Sequence, residues 1–542
     1  HAIRKVGVIL RIGLDFDNTI ANYDLAFFEV AELLDLKTTA TTKSEVKKEL
    51  LSREGGDFLW QKVQGLTYGR YIHLAEIQSG LLEFIFQARS LGHQLYIVSH
   101  KTEFGHFDES FTPLRTAALT WLQIKRVVGE LPAQIKPNEV YFCQTQDEKI
   151  SKINELNLDI FIDDLEEVFN NQLLSSAVRR ILFSANSEVE SEYECYSSWR
   201  EISQATLGEI SADQVSFALK NIWPNLDIEE VQEVVGGGNS KIFKVATRDC
   251  DLALKIYPDL ATDVRPRRAN EWMALSLMHM AKMQTPKPFA TDKDFNWSLI
   301  EWFNGHPSDG SDQVRLLQAV DFIRALTEVS RSISSNTSYG FATEACLTPI
   351  DVEQQILSRL DFFKDIDDSG LQKFLEQVLM PMFNDSVKDA RHLLEEGYEI
   401  QLSSRLWTLS PSDFGLHNSI ITATNDLVFY DFEYFGWDDP VKVTADFCLH
   451  PAMRLDLSSQ KYWVAEMKAL FAHDIEFELR LKALAPLYII RWTLIILNEF
   501  RSDKLKNRLH AQSTIQTDIQ KKQVEQLEKA KLMIENLDRL IF

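Results

Sequence analysis

The chain has 542 residues, of which 45% are hydrophobic and 25% charged, enough to bury more than one core. A chain of this length predicts a multidomain protein of about two to four lobes. Its 57 Lys and Arg against 80 Asp and Glu give a formal net charge of −23, which disfavours binding to nucleic acids or anionic membranes.

Residues 6–183 alternate β-rich apolar runs with helical patterns, and this alternation predicts a parallel sheet with crossover helices. About seventy residues separate the first two strands, too many for one crossover, so a small helical cap is predicted at about residues 22–80. The acid-rich segment SANSEVESEYECYSSWREISQ after Phe183 is the predicted linker, with its SSWREI part docking on the first domain. The predicted strands are VGVILRIGLDF, QLYIVSH, EVYFCQ, DIFIDD and RRILFS.

Two aspartates lie where the first predicted strand ends, in the sequence IGLDFDNT. At the carboxyl edge of a parallel sheet, side chains converge on the ligand crevice. A loop that begins there lets Asp17 lie over the same site as Asp15, so that one carboxylate can attack while the other transfers a proton.

Three other strand ends supply groups that suit a phosphate and a metal ion. Ser99 in YIVSHKT offers a small hydroxyl, and Lys149 in DEKI offers a point charge at a helix start. Asp163 and Asp164 in DIFIDD offer hard oxygen ligands of the kind that Mg²⁺ prefers. Lys152, three residues after Lys149, is the alternative for the cation.

In this order the motifs resemble the haloacid dehalogenase superfamily of aspartate-nucleophile phosphatases, over roughly residues 6–205 of a first domain predicted at 1–205. The resemblance implies a Rossmann-like α/β fold, with Asp15 as nucleophile and Asp17 as general acid/base. Ser99 and Lys149 are then the phosphoryl-binding residues. The implied Mg²⁺ ligands are Asp15, Asp17, Asp163 and Asp164.

From about residue 206 the pattern changes. Antiparallel strands are predicted in VQEVVGGGNSKIFKVATRDCDLALKIY, a helix in RRANEWMALSLMHMAKM and another strand in NWSLIEWF. The remainder is predicted to be mostly helical, apart from a strand-and-loop island at 405–436. Pro486 and Arg491 interrupt the apolar run LAPLYIIRWTLIILNEF, which predicts a buried helix rather than a membrane span. The C-terminal tail predicts an amphipathic helix docked on its own domain, with a coiled-coil dimer as the alternative.

A second group of residues suits a nucleotide. The glycines Gly236, Gly237 and Gly238 let backbone N–H groups approach phosphates closely. Lys255 on a predicted strand and Glu271 on the following helix are predicted to pair and to position the phosphates.

Further downstream, LSPSDFGLHNSII and LVFYDFEYFGWDDP contain Asp413, Asn418 and Asp431. This spacing supplies one carboxylate to orient a substrate hydroxyl and two oxygen ligands for Mg²⁺.

Residues 206–542 resemble the aminoglycoside phosphotransferase and choline kinase branch of the protein-kinase-like fold. The resemblance implies an α+β, two-lobed domain, with an N-lobe at about 206–305 and a C-lobe at about 306–542. It implies ATP or GTP as donor, Asp413 as the catalytic residue, and Mg²⁺ held by Asn418 and Asp431.

Two further features of the sequence match this family, and one departs from it. The segment SLIEWFNG, which contains Glu301, looks like the hinge that binds the nucleotide base. The family's usual histidine two residues before the catalytic aspartate is Pro411 here, which puts the local loop geometry in doubt. Asp446 in VTADF matches an aspartate that is mostly structural in the family.

The two halves together predict a bifunctional phosphoryl-transfer enzyme that acts on a phosphorylated small molecule and a nucleotide. By analogy, the substrate is a sugar or sugar phosphate in an activation pathway. The five cysteines lack metal-ligand or redox spacing and favour a reducing cytoplasm, and the C-terminal helix is a candidate for self-association.

Two alternatives remain open. One is a nucleic-acid end-healing kinase and phosphatase, which the net charge and the missing P-loop pattern disfavour. In the other, one domain is degenerate and serves as a nucleotide-binding regulatory module, as Pro411 suggests.

Overall fold

The computed structural model describes residues 8–184, 191–234, 240–261, 263–308, 312–333, 339–453, 455–501 and 516–535. The chain divides into two compact units. The first unit comprises His1–Arg265 and Phe289–Ile300, and the second comprises Pro266–Pro288 and Glu301–Phe542. The predicted domain boundary between residues 205 and 206 falls inside the first unit, and the predicted division into domains stays a prediction.

Among the described residues, a six-stranded parallel sheet lies in the first unit, as the alternating pattern predicted. Leu14 of the first strand pairs with Ile97 on one side and with Ile162 on the other. Neighbouring strands are parallel throughout the sheet, so their carboxyl ends lie along one edge. Across the sheet the strands are Val140–Cys143, Gln94–His100, Arg11–Leu14, Ile160–Asp163, Arg179–Phe183 and Glu194–Tyr196.

Helices follow the strands along the chain, as crossovers between parallel strands require. The connecting helices are Leu81–Ser90, Leu114–Ile124, Gln146–Glu155 and Glu166–Phe169. The apolar side chains of the first two of these helices join those of the first strand, where Ile12 and Leu14 are fully buried. Those of the last two form a separate core cluster with Val98 and Phe161.

The segment predicted as a cap is helical. Short strands Ala21–Asn22 and Glu76–Ile77 pair with each other and bring the two ends of this segment together. Inside it, the ring of Phe27 stacks on the ring of Trp60, with 5.1 Å between the centroids. The cap helices are Asp24–Leu33, Lys43–Leu51 and Gly56–Tyr68, followed by the 3₁₀ turn Ile72–Leu74.

The acidic segment after Phe183 contains a strand that the sequence did not predict. Residues 185–190 lie outside the described residues, but Glu194–Tyr196 pairs with the preceding strand as an edge of the sheet. The predicted docking of SSWREI is present, because Trp199 is fully buried and its ring N–H donates to the carbonyl of Thr19 at 3.0 Å. Trp199 begins the helix Trp199–Thr206.

A second sheet contains the predicted antiparallel strands. Lys241–Thr247 pairs with Ile228–Val234 on one side and with Asp251–Ile256 on the other. The predicted glycine turn with Gly236, Gly237 and Gly238 lies outside the described residues. Across the sheet the strands are Pro288–Asp292, Trp297–Glu301, Asp251–Ile256, Lys241–Thr247 and Ile228–Val234.

The apolar core of the first unit continues past residue 206. Val215 and Leu219, on the helix Ala212–Ile222, are buried in the same core cluster as Ile12 and as Phe243 of the second sheet. Arg126 also joins these regions, since its guanidinium pairs with Asp292 at 2.6 Å and with Asp294 at 3.1 Å. Among the described residues, one apolar cluster therefore contains side chains from both sides of residue 206.

The second unit is mainly helical, as predicted, and the 405–436 island contains short strands. Thr408–Ser410 pairs with Gly436–Asp438, and Ser419–Thr422 pairs with both Gly305–Pro307 and Leu427–Phe429. The helices are Arg267–Met280, Gln313–Ser332, Pro349–Asp361, Ser369–Phe374, Met380–Leu394, Pro440–Leu449, Leu457–Leu470, Phe477–Ile496 and Gln516–Glu535.

One helical stretch among the described residues, Phe477–Phe500, is long and apolar enough to cross a membrane by length and composition. The mean hydropathy of its 18-residue window is 1.3, and 78% of that window is buried inside the protein. A core helix of a soluble protein meets the same criteria, so the stretch is weak evidence for a span. The burial confirms the predicted buried helix.

The described part of the tail, Gln516–Glu535, packs against Phe477–Ile496 and the adjoining 3₁₀ turn Leu497–Phe500. Ala530 and Ile534 are buried there. The predicted docking of this helix on its own part of the chain is confirmed, and self-association through it stays a prediction.

Candidate active sites

A buried lysine joins two of the predicted carboxylates at the carboxyl edge of the parallel sheet. The Nζ of Lys149 lies 2.6 Å from Oδ1 of Asp15 and 2.6 Å from Oδ2 of Asp163. All three side chains are buried. The two carboxylates raise the pKa of Lys149 in spite of its burial, so the lysine is a permanent cation of this site.

Backbone structure brings these residues together. The backbone N–H of Asp15 donates to the carbonyl of Ile162 at 2.9 Å, which extends the pairing of two neighbouring strands by one residue. Lys149 lies on the helix Gln146–Glu155, whose first turn is capped by the hydroxyl of Thr145. Lys152, the alternative cation, forms an exposed pair with Glu155 at 2.6 Å instead.

Asp164 completes a group of three carboxylates with Asp15 and Asp163. The oxygens that the three residues offer all lie within 4.8 Å of one another. Burial, together with the nearby carboxylates, raises the pKa of both Asp163 and Asp164. Crowded oxygen donors of this kind fit a hard divalent cation such as Mg²⁺.

Asp17 lies against different partners. Its carboxylate accepts hydrogen bonds from Nζ of Lys101 at 2.9 and 3.0 Å, and from the hydroxyl of Tyr23 at 2.7 Å. The three-carboxylate group does not include Asp17 among the described residues, so its predicted place among the metal ligands stays a prediction. The predicted role of Asp17 as general acid/base stays a prediction.

Sequence reasoning missed Lys101 and Tyr23. Lys101 follows Ser99 by two residues, directly after a strand end, and that position was a usable signal. Ser99 itself is buried two residues beyond Ile97, the register partner of Leu14, and therefore lies at the same edge of the sheet. Nothing in the local sequence distinguishes Tyr23 from a core tyrosine.

In the second unit, the structure links Asp413 to Asn418. The side-chain amide of Asn418 donates to the carbonyl of Asp413 at 3.0 Å, and the backbone N–H of Tyr430 donates to the carbonyl of Asn418 at 3.0 Å. The second bond joins the Asn418 loop to Tyr430, the residue before Asp431. Asp431 itself has a φ of 70°. Pro411 accepts a hydrogen bond from the backbone N–H of Asp413 at 2.9 Å, so it belongs to a tight turn that leads into this loop.

Two histidines that the sequence analysis did not single out lie beside Asp413. Its Oδ1 is 3.2 Å from Nε2 of His417 and 3.6 Å from Nε2 of His450. The two imidazoles stack at 3.8 Å between centroids with an angle of 3° between their planes. Since the planes are parallel, no metal ion can lie in both of them, and this arrangement favours hydrogen bonding to the carboxylate over chelation.

These contacts change the pKa values of Asp413 and His450. Burial opposes ionisation of Asp413, but the hydrogen bond from His417 and the nearby imidazoles lower its pKa. Burial and the neighbouring His417 lower the pKa of His450 to about 4, so it is neutral at pH 7. His417 lies inside the quoted motif and was therefore within reach of sequence reasoning, whereas His450 was not.

The structure also describes Lys255, Glu271 and Glu301, which were predicted to bind the nucleotide, and Asp446, which was predicted to be structural. Lys255 is buried on a strand of the first unit and Glu271 is buried on a helix of the second, and their pairing stays a prediction. Glu301 ends its strand and accepts from the backbone N–H of Lys287 at 3.1 Å. Asp446 is buried and accepts from the ring N–H of Trp492 at 2.7 Å, as a structural role requires.

Comparisons with known proteins give structural similarity alone. No protein-family model matches the chain, and no curated protein matches it. A spectinomycin phosphotransferase solved with ADP and spectinomycin is 14% identical, with 60% of this chain and 98% of that chain covered and a TM-score of 0.44.

Two further solved structures are similar to the chain at the same level. The choline kinase LicA from Streptococcus pneumoniae is 12% identical over 59% of this chain and 99% of its own, with a TM-score of 0.39. A Plasmodium vivax ethanolamine kinase is 13% identical over 61% and 92%, with a TM-score of 0.40. By their names, all three are small-molecule phosphotransferases.

Proposed function

We propose that the chain is a bifunctional phosphoryl-transfer enzyme. In this proposal, the Asp15 site hydrolyses a phosphomonoester through an aspartyl-phosphate. The Asp413 region transfers the γ-phosphoryl group of ATP or GTP to the hydroxyl of a small molecule. The observation that carries the hydrolase part is the ion-paired group of Asp15, Lys149 and Asp163 at the carboxyl edge of a parallel sheet.

The residues of the first site divide the work of hydrolysis between them. A carboxylate oxygen of Asp15 attacks phosphorus, and the bond to the leaving oxygen breaks while Asp17 donates a proton to that oxygen. Asp17 then takes a proton from a water molecule, which attacks the phosphorus of the aspartyl-phosphate and releases inorganic phosphate. Lys149 and the hydroxyl of Ser99 hold the phosphoryl oxygens.

The carboxylates that would hold Mg²⁺ are Asp15, Asp163 and Asp164, whose crowded oxygens fit a hard cation. When bound, the ion supplies positive charge that offsets the repulsion between these carboxylates and a phosphate. Chelation of the metal is therefore expected to abolish hydrolysis, and added Mg²⁺ to restore it.

Hydrolysis of p-nitrophenyl phosphate by the full chain with Mg²⁺ tests the first activity. Asp15→Asn removes the nucleophile with little change in shape, and turnover should be lost. The matched control is Asp159→Asn, because Asp159 caps the other end of the same sheet by accepting from the backbone N–H of Arg11 at 2.7 Å. Wild-type turnover in Asp15→Asn would rule out the proposed nucleophile.

The kinase activity is a second candidate function, favoured by the hydrogen bond between Asn418 and the carbonyl of Asp413. Asp413 would orient the acceptor hydroxyl, while Asn418 and Asp431 supply the oxygen donors suited to Mg²⁺. Gly236, Gly237, Gly238, Lys255, Glu271 and Glu301 are the proposed nucleotide-binding residues.

Calorimetric titration of the full chain with Mg-ATP and with Mg-GTP tests the kinase part and identifies the donor. Asp431→Ala is expected to weaken binding. Asp426→Ala serves as control, because Asp426 is exposed in the turn between the strands Ser419–Thr422 and Leu427–Phe429. Equal affinity in both variants would count against the metal-binding role of Asp431. Screening sugar phosphates, nucleosides and amino alcohols with the Asp15→Asn chain then identifies the acceptor, because the phosphatase can no longer erase the product.

A further inference from the structure

In the part of the chain that the structure describes, three ammonium groups lie close to the carboxylates of the first site, and two of them have carboxylate partners. Lys149 pairs with Asp15 and Asp163, and Lys101 pairs with Asp17. The third is Lys43, which neither the sequence motifs nor the proposed mechanism uses.

The cap holds Lys43 in a defined position. It is the first residue of the helix Lys43–Leu51, whose start is fixed by the reciprocal capping of Thr42 and Glu45. Its own backbone N–H donates to Oδ1 of Asp24 at 2.8 Å, which ties this helix to the preceding one. These hydrogen bonds fix the position of the Lys43 backbone at the start of the helix.

The ammonium of Lys43 donates to Oδ1 of Asn18 at 2.9 Å. Asn18, with a φ of 61°, follows Asp17 and donates from its amide nitrogen to Oδ2 of Asp164 at 2.8 Å. Its own carbonyl accepts from the side-chain amide of Gln78 at 2.8 Å. A chain of hydrogen bonds therefore leads from the cap lysine through Asn18 to the three-carboxylate group.

In the described part of the chain, the ammonium of Lys43 hydrogen-bonds to the neutral amide oxygen of Asn18 and forms no ion pair with a carboxylate. Its other contacts in the described part of the chain are the faces of Phe27 and Tyr68, each with its ring centroid 5.6 Å from Nζ. Burial lowers the pKa of Lys43, although the negative charges of Asp17, Asp164, Asp24 and Asp15 act in the opposite direction. An ammonium has three donors, and one neutral amide oxygen satisfies only part of that capacity.

We infer that Lys43 is a substrate-binding residue of the proposed phosphatase site and that it binds an anionic oxygen of the phosphoryl group from the cap side. An oxyanion supplies the charge that Asn18 lacks, and it forms the stronger, charge-assisted hydrogen bond. The inference rests on the proposed phosphatase function. It assigns to the cap a direct contact with the substrate in addition to the exclusion of water.

Steady-state kinetics with p-nitrophenyl phosphate tests this assignment, because that substrate carries its negative charge on the phosphate alone. In Lys43→Gln, KM and the inhibition constant of inorganic phosphate should both rise by about 10- to 100-fold, as expected for a lost hydrogen bond between charged groups. The change in kcat should be smaller, and Lys43→Arg should restore KM in large part. Unchanged KM and inhibition constant would overturn the assignment, as would a loss confined to kcat.

The matched control is Lys47→Gln. Lys47 is an exposed residue of the same helix, and its ammonium lies 5.7 Å from the ring centroid of Trp60. This variant should keep wild-type constants. If Lys47→Gln raised KM as much as Lys43→Gln does, the increase would come from the loss of positive charge anywhere on the cap. That result would overturn the assignment.

Titration calorimetry with inorganic phosphate and Mg²⁺ separates this inference from the proposed function. If the wild-type chain does not hydrolyse the ester, the proposed function fails, yet weaker phosphate binding in Lys43→Gln than in Lys47→Gln still supports the role of Lys43. Equal phosphate affinity in the two variants overturns it, as does the absence of phosphate binding by the wild-type chain.

Discussion

Lys149 compensates two buried carboxylates at once, and its removal should leave both of them without a cation. Breaking a buried ion pair by removing one partner costs about 3–5 kcal/mol. Lys149→Met is therefore expected to lower the free energy of unfolding by roughly 3 kcal/mol and to abolish phosphatase turnover. Chemical denaturation and p-nitrophenyl phosphate hydrolysis measure the two effects.

Lys152→Met is the matched control, since the exposed pair of Lys152 with Glu155 is worth about 0–1 kcal/mol. Similar losses in the two variants would contradict the distinction that the structure makes between these lysines.

The neutral His450 predicts a loss of stability in acid. Its pKa is lowered from 6.5 to about 4 in the folded protein, so between these values the unfolded chain binds more protons than the native one. Stability contributed by neutral His450 is complete above pH 6.5 and is lost as the pH falls toward 4. The groups facing His450 are Asp413, His417 and Asp446, and the two carboxylates moderate the effect.

Differential scanning calorimetry of the wild type and His450→Phe between pH 7 and pH 5 checks this prediction. The phenyl ring keeps the stacking surface against His417 but cannot take up a proton. The wild type should lose about 2 kcal/mol more than the variant over this interval. Parallel pH profiles of the two proteins would show that burial of His450 does not set its protonation.

Individual residues of the first site were predictable where strand ends determine them. Asp15, Asp163 and Lys149 follow a parallel-sheet pattern that brings their positions to one edge. Tyr23 and Lys43 were not predictable, because their contacts depend on how the cap folds back over the sheet. His450 was not predictable either, because it follows the helix Pro440–Leu449 and meets Asp413 only through the tertiary fold.

Among the structural elements, the cap helix Gly56–Tyr68 contacts the loop after the strand Gln94–His100 through two glycines. A Cβ added to Gly65 would lie 2.3 Å from the carbonyl oxygen of His106, and one added to Gly105 would lie 2.8 Å from the Cα of Gly65. This close approach of backbones leaves no room for a side chain.

Gly65→Ala should therefore separate the cap helix from this loop. Overpacking costs about 1–3 kcal/mol, and displacement of the cap should raise KM of the phosphatase reaction. Thermal unfolding and steady-state kinetics measure the two effects. Gly397→Ala, at a glycine with nothing within 4 Å of the added Cβ, should stay within about 0.5 kcal/mol of the wild type. A fully stable and active Gly65→Ala would contradict the packing argument.

The regular elements were largely predictable, and the exception has a physical cause. Apolar runs predicted five strands of the parallel sheet, including the edge strand Val140–Cys143, while the other edge strand, Glu194–Tyr196, is short and polar. A strand paired on one side can form with little apolar surface, and Glu194–Tyr196 therefore lacks the apolar pattern that the prediction relied on.

At the scale of the whole molecule, the predicted division of the chain at residue 205 stays a prediction, and residue 205 lies inside the first compact unit. The composition of the sequence changes there, but the apolar residues of the helix Ala212–Ile222 join the core of the first unit. Periodicity predicts which face of a helix is apolar, and it does not predict which core receives that face.

A kinase and a phosphatase acting on the same hydroxyl would only hydrolyse the nucleotide. The two proposed activities are compatible if they act on different positions, or if the phosphatase acts on a later intermediate. Phosphorus NMR of the full chain with nucleotide and the screened acceptor should show a phosphorylated product that persists. Free phosphate with regeneration of the starting compound would contradict sequential action.

Trapping of a covalent phosphate on Asp15 tests the central claim most directly. Asp17→Asn should slow breakdown of the intermediate, because no base then activates the attacking water. After an acid quench with p-nitrophenyl phosphate and Mg²⁺, peptide mass spectrometry should find phosphate on the peptide that contains Asp15, and none in Asp15→Asn. Steady hydrolysis of the ester without a phosphorylated Asp15 peptide, or undiminished turnover by Asp15→Asn, would contradict the account.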